Sequence, residues 1–164
     1  MAINPISYTE KAVGSFLRYQ LTRYPFADDD LYAQMKALLS LELTRGSPLI
    51  SGPYVSLSKP FSRGASVRRL TEQGVLHAHL ENLAEWKAFF GCKVYGFCLM
   101  TNHVHLVVDP GPNPESLGLL MKRLAGRQTR YVNALERRTG SLWEGRYKSS
   151  PSRRRRICWP VRGM

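Results

Sequence analysis

The sequence predicts an α+β fold for the second half of the chain, preceded by a mostly helical N-terminal segment. Two runs of β-branched, aromatic and aliphatic residues, Cys92 to Met100 and His103 to Asp109, are joined by a tight Met100-Thr101-Asn102 turn and read as a hairpin. Segments of helical periodicity flank that hairpin on both sides. A further short strand follows, giving the order helix, strand, strand, helix, strand.

From Tyr8 to Tyr24 the apolar positions Val13, Phe16, Leu17, Leu21 and Tyr24 share one helical face, and Pro25 ends the pattern. Asp28, Asp29 and Asp30 suit a helix N-terminus, because carboxylates accept hydrogen bonds from its free amides and favour its dipole. They open a second helix, about Asp30 to Leu43. Gly46 to Pro53 is turn-like, Tyr54 to Lys59 alternates as a strand does, and Val67 to Gly74 reads as a short helix.

Leu83, Trp86, Phe89 and Phe90 line the helix that enters the hairpin, and Gly91 ends it. Beyond a Pro110 to Pro114 loop, Glu115 and Ser116 open a long helix with Leu117, Leu120, Leu124, Tyr131 and Leu135 on one face. Lys122, Arg123, Arg127, Arg130, Arg137 and Arg138 lie on the other. Gly140 ends this helix, and Leu142 to Lys148 reads as the last strand, bearing Trp143, Arg146 and Lys148.

The chain has 164 residues, 43% hydrophobic and 22% charged, a composition suited to one globular domain with a core. Cys92, Cys98 and Cys158 have no regular spacing, so neither a disulfide framework nor a zinc pattern is expected. The N-terminus lacks a secretion signal and no apolar run is long enough to span a membrane, so a cytoplasmic protein is expected. Twenty-four Lys and Arg against 12 Asp and Glu, a formal charge of +12, point to a polyanionic partner. Residues 80–164 hold +9 of that excess, five of the charges being Arg153, Arg154, Arg155, Arg156 and Arg162.

Two histidine pairs stand two residues apart. His77 and His79 have no third candidate ligand nearby and read as ordinary solvated histidines. The second pair lies in Asn102-His103-Val104-His105-Leu106. On a strand, His103 and His105 share one face while Val104 and Leu106 enter the other. A divalent cation held there polarises a scissile phosphate oxygen, with a third residue and waters completing its coordination. The bare pattern leaves a metal site and a solvent-facing pair both open.

The stretch LENLAEWKAFFGCKVYGFCLMTNHVHLVVDPG, followed by LMKRLAGRQTRYVNALERRTGSLWEGRYKSS, resembles the REP-associated, insertion-sequence-200-like transposases. These are members of the single-tyrosine HUH endonucleases (His, hydrophobic, His). The resemblance covers residues 80–150. It implies a ferredoxin-like antiparallel sheet with helices on one face, binding single-stranded or hairpin DNA, with Mg2+ or Mn2+ as cofactor and a homodimer as the working unit. It assigns His103 and His105 as metal ligands of the catalytic centre. In that family a tyrosine on a later helix attacks the phosphate and forms a covalent 5'-phosphotyrosine, dividing one hard step into two. Arg127, Arg130, Arg146 and Lys148, with Trp143 as a stacking surface, suit single-stranded DNA; a solvated helix face and a core tryptophan are the competing readings.

The sequence departs from that family at both ends, so the domain is expected to be truncated. The family's first strand is replaced, and its last helix, ending in R-Y-x-x-L-N-P-V, gives way to PSRRRRICWPVRGM, with no tyrosine after Tyr147. One back-translation of that segment, read one base out of phase, gives IEAETYLLACARY, which resembles the missing helix. Residues 151–164 therefore read as a basic, frameshifted tail. Neither Tyr131 nor Tyr147 matches the family's nucleophile. A sheet short of a strand exposes an edge and is marginally stable unless Tyr54 to Lys59 substitutes.

Residues 1–79 have their own likeness. YTEKAVGSFLRYQLTRYPFADDD, SPLISGPYVSLSKPF and GVLHAHL resemble the leader that precedes the ATPase core of bacterial DEAD/DEAH-box helicases. No G-x-x-x-x-G-K-[ST] phosphate loop is present, so ATP hydrolysis is not expected. The expected function is a DNA transposase of the single-tyrosine type, catalytically impaired. The alternatives are a non-catalytic DNA-binding or interaction module built on the helicase-like leader, and a gene relic.

Overall fold

The computed structural model describes residues 10–40, 54–60 and 72–152. The expected turn at Gly46 to Pro53, most of the short helix from Val67 and the arginine-rich tail from residue 153 lie outside the described residues.

Helix α1 (Glu10–Leu21) buries Val13 and Leu17, and Phe16 meets Phe97 edge-on at 6.0 Å. Helix α2 (Asp29–Leu38) starts one residue earlier than the sequence pattern placed it, because Asp28 is the N-cap and accepts from the Leu31 amide at 2.8 Å. Its last carbonyl groups are met by Lys87, whose Nζ donates to the Leu38 oxygen at 2.6 Å.

Strand β1 (Tyr54–Pro60), helix α3 (Gln73–Phe89), strands β2 (Lys93–Leu99) and β3 (His103–Asp109), helix α4 (Glu115–Glu136) and strand β4 (Lys148–Ser152) complete the chain order. All neighbouring strands are antiparallel, in the order β2-β3-β1-β4. A β-α-β-β-α-β chain woven in that order is the ferredoxin-like arrangement. The α+β class is as expected. The sheet has four strands, and Tyr54–Pro60 supplies its first: β1 pairs with β3 on one side and β4 on the other.

Helices α3 and α4 pack on the sheet face made by Val94, Phe97, Leu99, Val104, Leu106 and Val108. The same core takes in Val13 and Leu17 of α1 and Leu31, Met35 and Leu38 of α2. The outer edge of β2 is covered by Ser40, whose amide donates to the Val94 carbonyl at 2.7 Å. Helix α3 runs unbroken through residues 79 and 80.

Several element boundaries differ from the sequence pattern. Helix α1 ends at Leu21, short of Tyr24, and helix α2 ends at Leu38, short of Leu43, where Leu39 turns to an extended backbone (φ −77°, ψ 124°). Helix α4 ends at Glu136 rather than near Gly140, because Arg137 takes the left-handed conformation (φ 51°) and Arg138 donates back to the Asn133 carbonyl. The last strand begins only at Lys148, so Arg146 lies in the turn before it and Trp143 makes an isolated bridge. The cause is local: Ser141 Oγ donates to the Trp143 carbonyl and accepts from the Trp143 amide, folding 141–143 into a turn.

Candidate functional site

The alternation of β3 carries the site. Val104, Leu106 and Val108 enter the core, so His103, His105 and Val107 take the face that no described helix covers. His105 is exposed and His103 half-buried. Their ring centroids are 4.9 Å apart, with the planes at 85°. Asn102, in the hairpin turn, places Oδ1 2.8 Å from His103 Nδ1. An amide oxygen only accepts, so this contact puts the ring proton on Nδ1 and leaves the Nε2 lone pair for a ligand. Although its side chain reaches the surface, partial desolvation by its neighbours, and then His103, lower the pKa of His105 below the ordinary histidine value, the direction that favours the neutral form a metal ligand needs.

Strand register puts further groups in the same row. His105 is opposite Cys98 on β2 and Ser58 on β1, and Ser58 is in turn opposite Lys148 on β4. Lys148, exposed, is thus two strand spacings from His105, roughly 10 Å. His103 is opposite Pro60, whose carbonyl accepts from the Glu144 amide at 3.0 Å, so the turn carrying exposed Arg146 is held at the His103 end of the sheet. Of the five side chains expected to meet DNA, Lys148 and Arg146 lie at this face or its margin.

The other three do not. Arg127 and Arg130 are on α4, which packs on the opposite side of the sheet. Arg127 donates to Glu85 at 2.6 Å and to Asn82 at 3.3 Å, tying α4 to α3. Trp143 corrects the reading of a stacking surface: it is 5% exposed, its Nε1 donates to the Ala125 carbonyl, and the Lys59 ammonium lies 5.7 Å from its ring centre. Its ring is closed to a base because α4 and β1 already cover it.

No third His, Cys, Asp or Glu completes a metal-holding group with the pair among the described residues. Cys98 is next to His105 in register, but its Sγ accepts from Arg23 Nη1 at 3.0 Å. Asp109 shares the histidine face four residues along, roughly 13 Å away, with its oxygens taken by the Tyr95 hydroxyl and the Gly111 amide. The pair fits the two-histidine part of a divalent-cation site.

Residues 65–157 match the family described as "Transposase IS200 like". The chain belongs to the IS200-like transposase family. The matched segment begins after β1 and takes in α3, the hairpin, α4 and β4, so one of the two inner strands of this IS200-like sheet comes from outside it. IS200-like transposases act on DNA and are in general metal-dependent. The chain is also similar to the crystal structure of a candidate transposase from Deinococcus radiodurans R1, at 17% identity and a TM-score of 0.46, over 65% of this chain and 84% of that one. No curated protein matches. No described helix is long and apolar enough to cross a membrane.

Sequence reasoning missed two buried basic side chains of this IS200-like domain. Lys59 is buried and donates to the Gly145 carbonyl at 2.8 Å, and its desolvation lowers its pKa. The signal was available, since Val55, Leu57 and Lys59 share one phase of the strand. His79, read as solvated, is 1% exposed between α3 and α4. Burial lowers its pKa to about 4, with neighbouring Gln128 acting in the other direction. Neither ring nitrogen makes a well-formed hydrogen bond among the described residues, so Gln128 touches the imidazole without satisfying it.

Proposed function

We propose that this chain is a single-tyrosine HUH transposase by descent, of the REP-associated kind, in which His103 and His105 bind a divalent cation, Mg2+ or Mn2+, and single-stranded or hairpin DNA crosses the exposed sheet face. The observation that carries this reading is the histidine pair itself: two convergent imidazoles on an exposed face, one oriented by Asn102, with Lys148 in the same row.

The cation supplies polarisation of a phosphate oxygen and charge compensation at phosphorus. His103 and His105 hold it in their neutral forms. Lys148 and Arg146 neutralise phosphates and set the strand's path beside the pair.

Strand cleavage is impaired on this reading. Tyr131 turns its hydroxyl to Gly74, Tyr147 lies beside Gly118 on the helix side, and the Tyr95 hydroxyl is bound to Asp109. None is offered to a phosphate at His103 and His105. Residues 151–164, frameshifted on this proposal, carry no tyrosine where the family's nucleophile stands. On this proposal the helicase-leader likeness read over residues 1–79 applies only up to the start of the family match at residue 65, and β1, which precedes that match, takes the place of the family's first strand.

The test is replacement of His103 and His105 by alanine. A transposase site loses the Mg2+ or Mn2+ dependence of DNA binding, whereas a non-catalytic module built on the leader binds as before.

A further inference from the structure

The α3–α4 surface, on the far side of the sheet from the histidines, carries an aromatic and cationic cluster that the proposed site does not use. Two guanidinium groups of α4 lie over the Trp86 ring, Arg123 at 5.1 Å and Arg127 at 4.8 Å from its centre. Phe90 stacks on Trp86 at 5.7 Å, and Phe89 meets it edge-on at 5.4 Å. Phe89 is 72% exposed.

Lys122, Arg123 and Arg130 are exposed on the adjoining face of α4. Arg127 is engaged with Glu85, and Glu81 is the other exposed acid of this stretch of α3. The surface therefore keeps a cationic excess after its internal ion pair is counted. Guanidinium groups already lying over an indole are held in place, so little side-chain freedom is lost when a phosphate docks on them.

We propose that this surface is a second single-stranded DNA contact, in which a base stacks on Phe89 and the flanking phosphates meet Arg123, Arg130 and Lys122. An open phenyl face beside fixed cations is the combination that single-stranded nucleic acid recognises without sequence preference. The inference rests on the DNA-binding reading above but not on the metal: a strand held at both surfaces passes around the domain rather than along one face.

The test is binding of an unstructured single-stranded oligonucleotide to the full chain, with Phe89→Ala and the double substitution Arg123→Ala, Arg130→Ala compared with wild type and with His103→Ala, His105→Ala. Phe89→Ala is expected to weaken binding about tenfold. The arginine pair is expected to reduce the slope of log affinity on log salt by about 1.4. An oligonucleotide of the same length without bases should show no effect of Phe89→Ala. Equal stability of Phe89→Ala and wild type in thermal melts excludes unfolding as the cause, and Phe89→Tyr restores binding if stacking is the reason. Unchanged affinity and slope in these variants, with metal-dependent binding still lost in the histidine variant, overturns this surface and leaves the histidine site standing. Weakened binding in the Phe89 variant with no effect of the histidine substitutions supports the surface and removes the histidine site. Preference for an acidic polypeptide over the oligonucleotide, or no DNA binding by wild type, overturns the proposal.

Discussion

His103 and Asn102 form a ligand and its orienting group on adjacent residues: the amide oxygen 2.8 Å from Nδ1 fixes which imidazole nitrogen is free. Such partners commonly change metal affinity by about 10–100-fold. Asn102→Ala is therefore expected to weaken Mn2+ binding within about that range while leaving the thermal transition in place, because Asn102 is exposed in the turn. Calorimetric titration with Mn2+ checks it, and wild-type affinity in the variant counts against the orienting role.

Lys148 contributes a charge at the edge of the histidine face. Lys148→Ala is expected to lower affinity for single-stranded DNA and to reduce the slope of log affinity on log salt by about 0.7, with no change in metal affinity. An unchanged salt dependence places the phosphates elsewhere.

Trp143 tests the correction made above. Removing a buried tryptophan typically costs about 3–5 kcal/mol, so Trp143→Ala should lower the unfolding midpoint strongly. Any DNA affinity measured on the folded fraction should stay at the wild-type level. A stable variant with weakened DNA binding would restore the stacking role that the sequence suggested.

His79 makes stability depend on pH. Its folded pKa of about 4 lies below the ordinary histidine value of 6.5, chiefly because burial disfavours the cation. The unfolded chain therefore takes up the proton first as pH falls, and stability, complete above pH ~6.5, is lost progressively down to pH ~4. The loss by pH 5 is on the order of 2 kcal/mol. Denaturant unfolding at a series of pH values should show this fall in wild type and a flatter profile in His79→Leu; equal profiles refute the assignment.

The hairpin and the shared face of His103 and His105 were legible in the sequence because strand alternation has a period of two residues and Val104 and Leu106 fix its phase. The strand at Tyr54 to Lys59 was also legible, and the resemblance raised it as a substitute for the family's first strand, but its partners were not legible: pairing with β3 and β4 joins residues about 50 and 95 positions apart, which no local pattern encodes. His79 escaped because the helical face is read in the sequence only from Leu83 onward. Begun at Gln73, the buried series Val75, Leu76, His79, Leu80 and Leu83 has helical spacing and places the imidazole inward. Trp143 was ambiguous because a single aromatic residue in a short irregular segment has no period, and only the Lys59 and Ala125 contacts decide its side.

The central claim is that His103 and His105 bind a divalent cation that DNA binding depends on. The most direct measurement is the affinity of the full chain for a hairpin-flanked single-stranded oligonucleotide, titrated with Mn2+, for wild type and for the His103→Ala, His105→Ala variant. Wild-type affinity is expected to rise with Mn2+, and the variant to show no metal response while keeping its metal-independent binding. A wild type indifferent to Mn2+, or a variant that responds as wild type does, contradicts it.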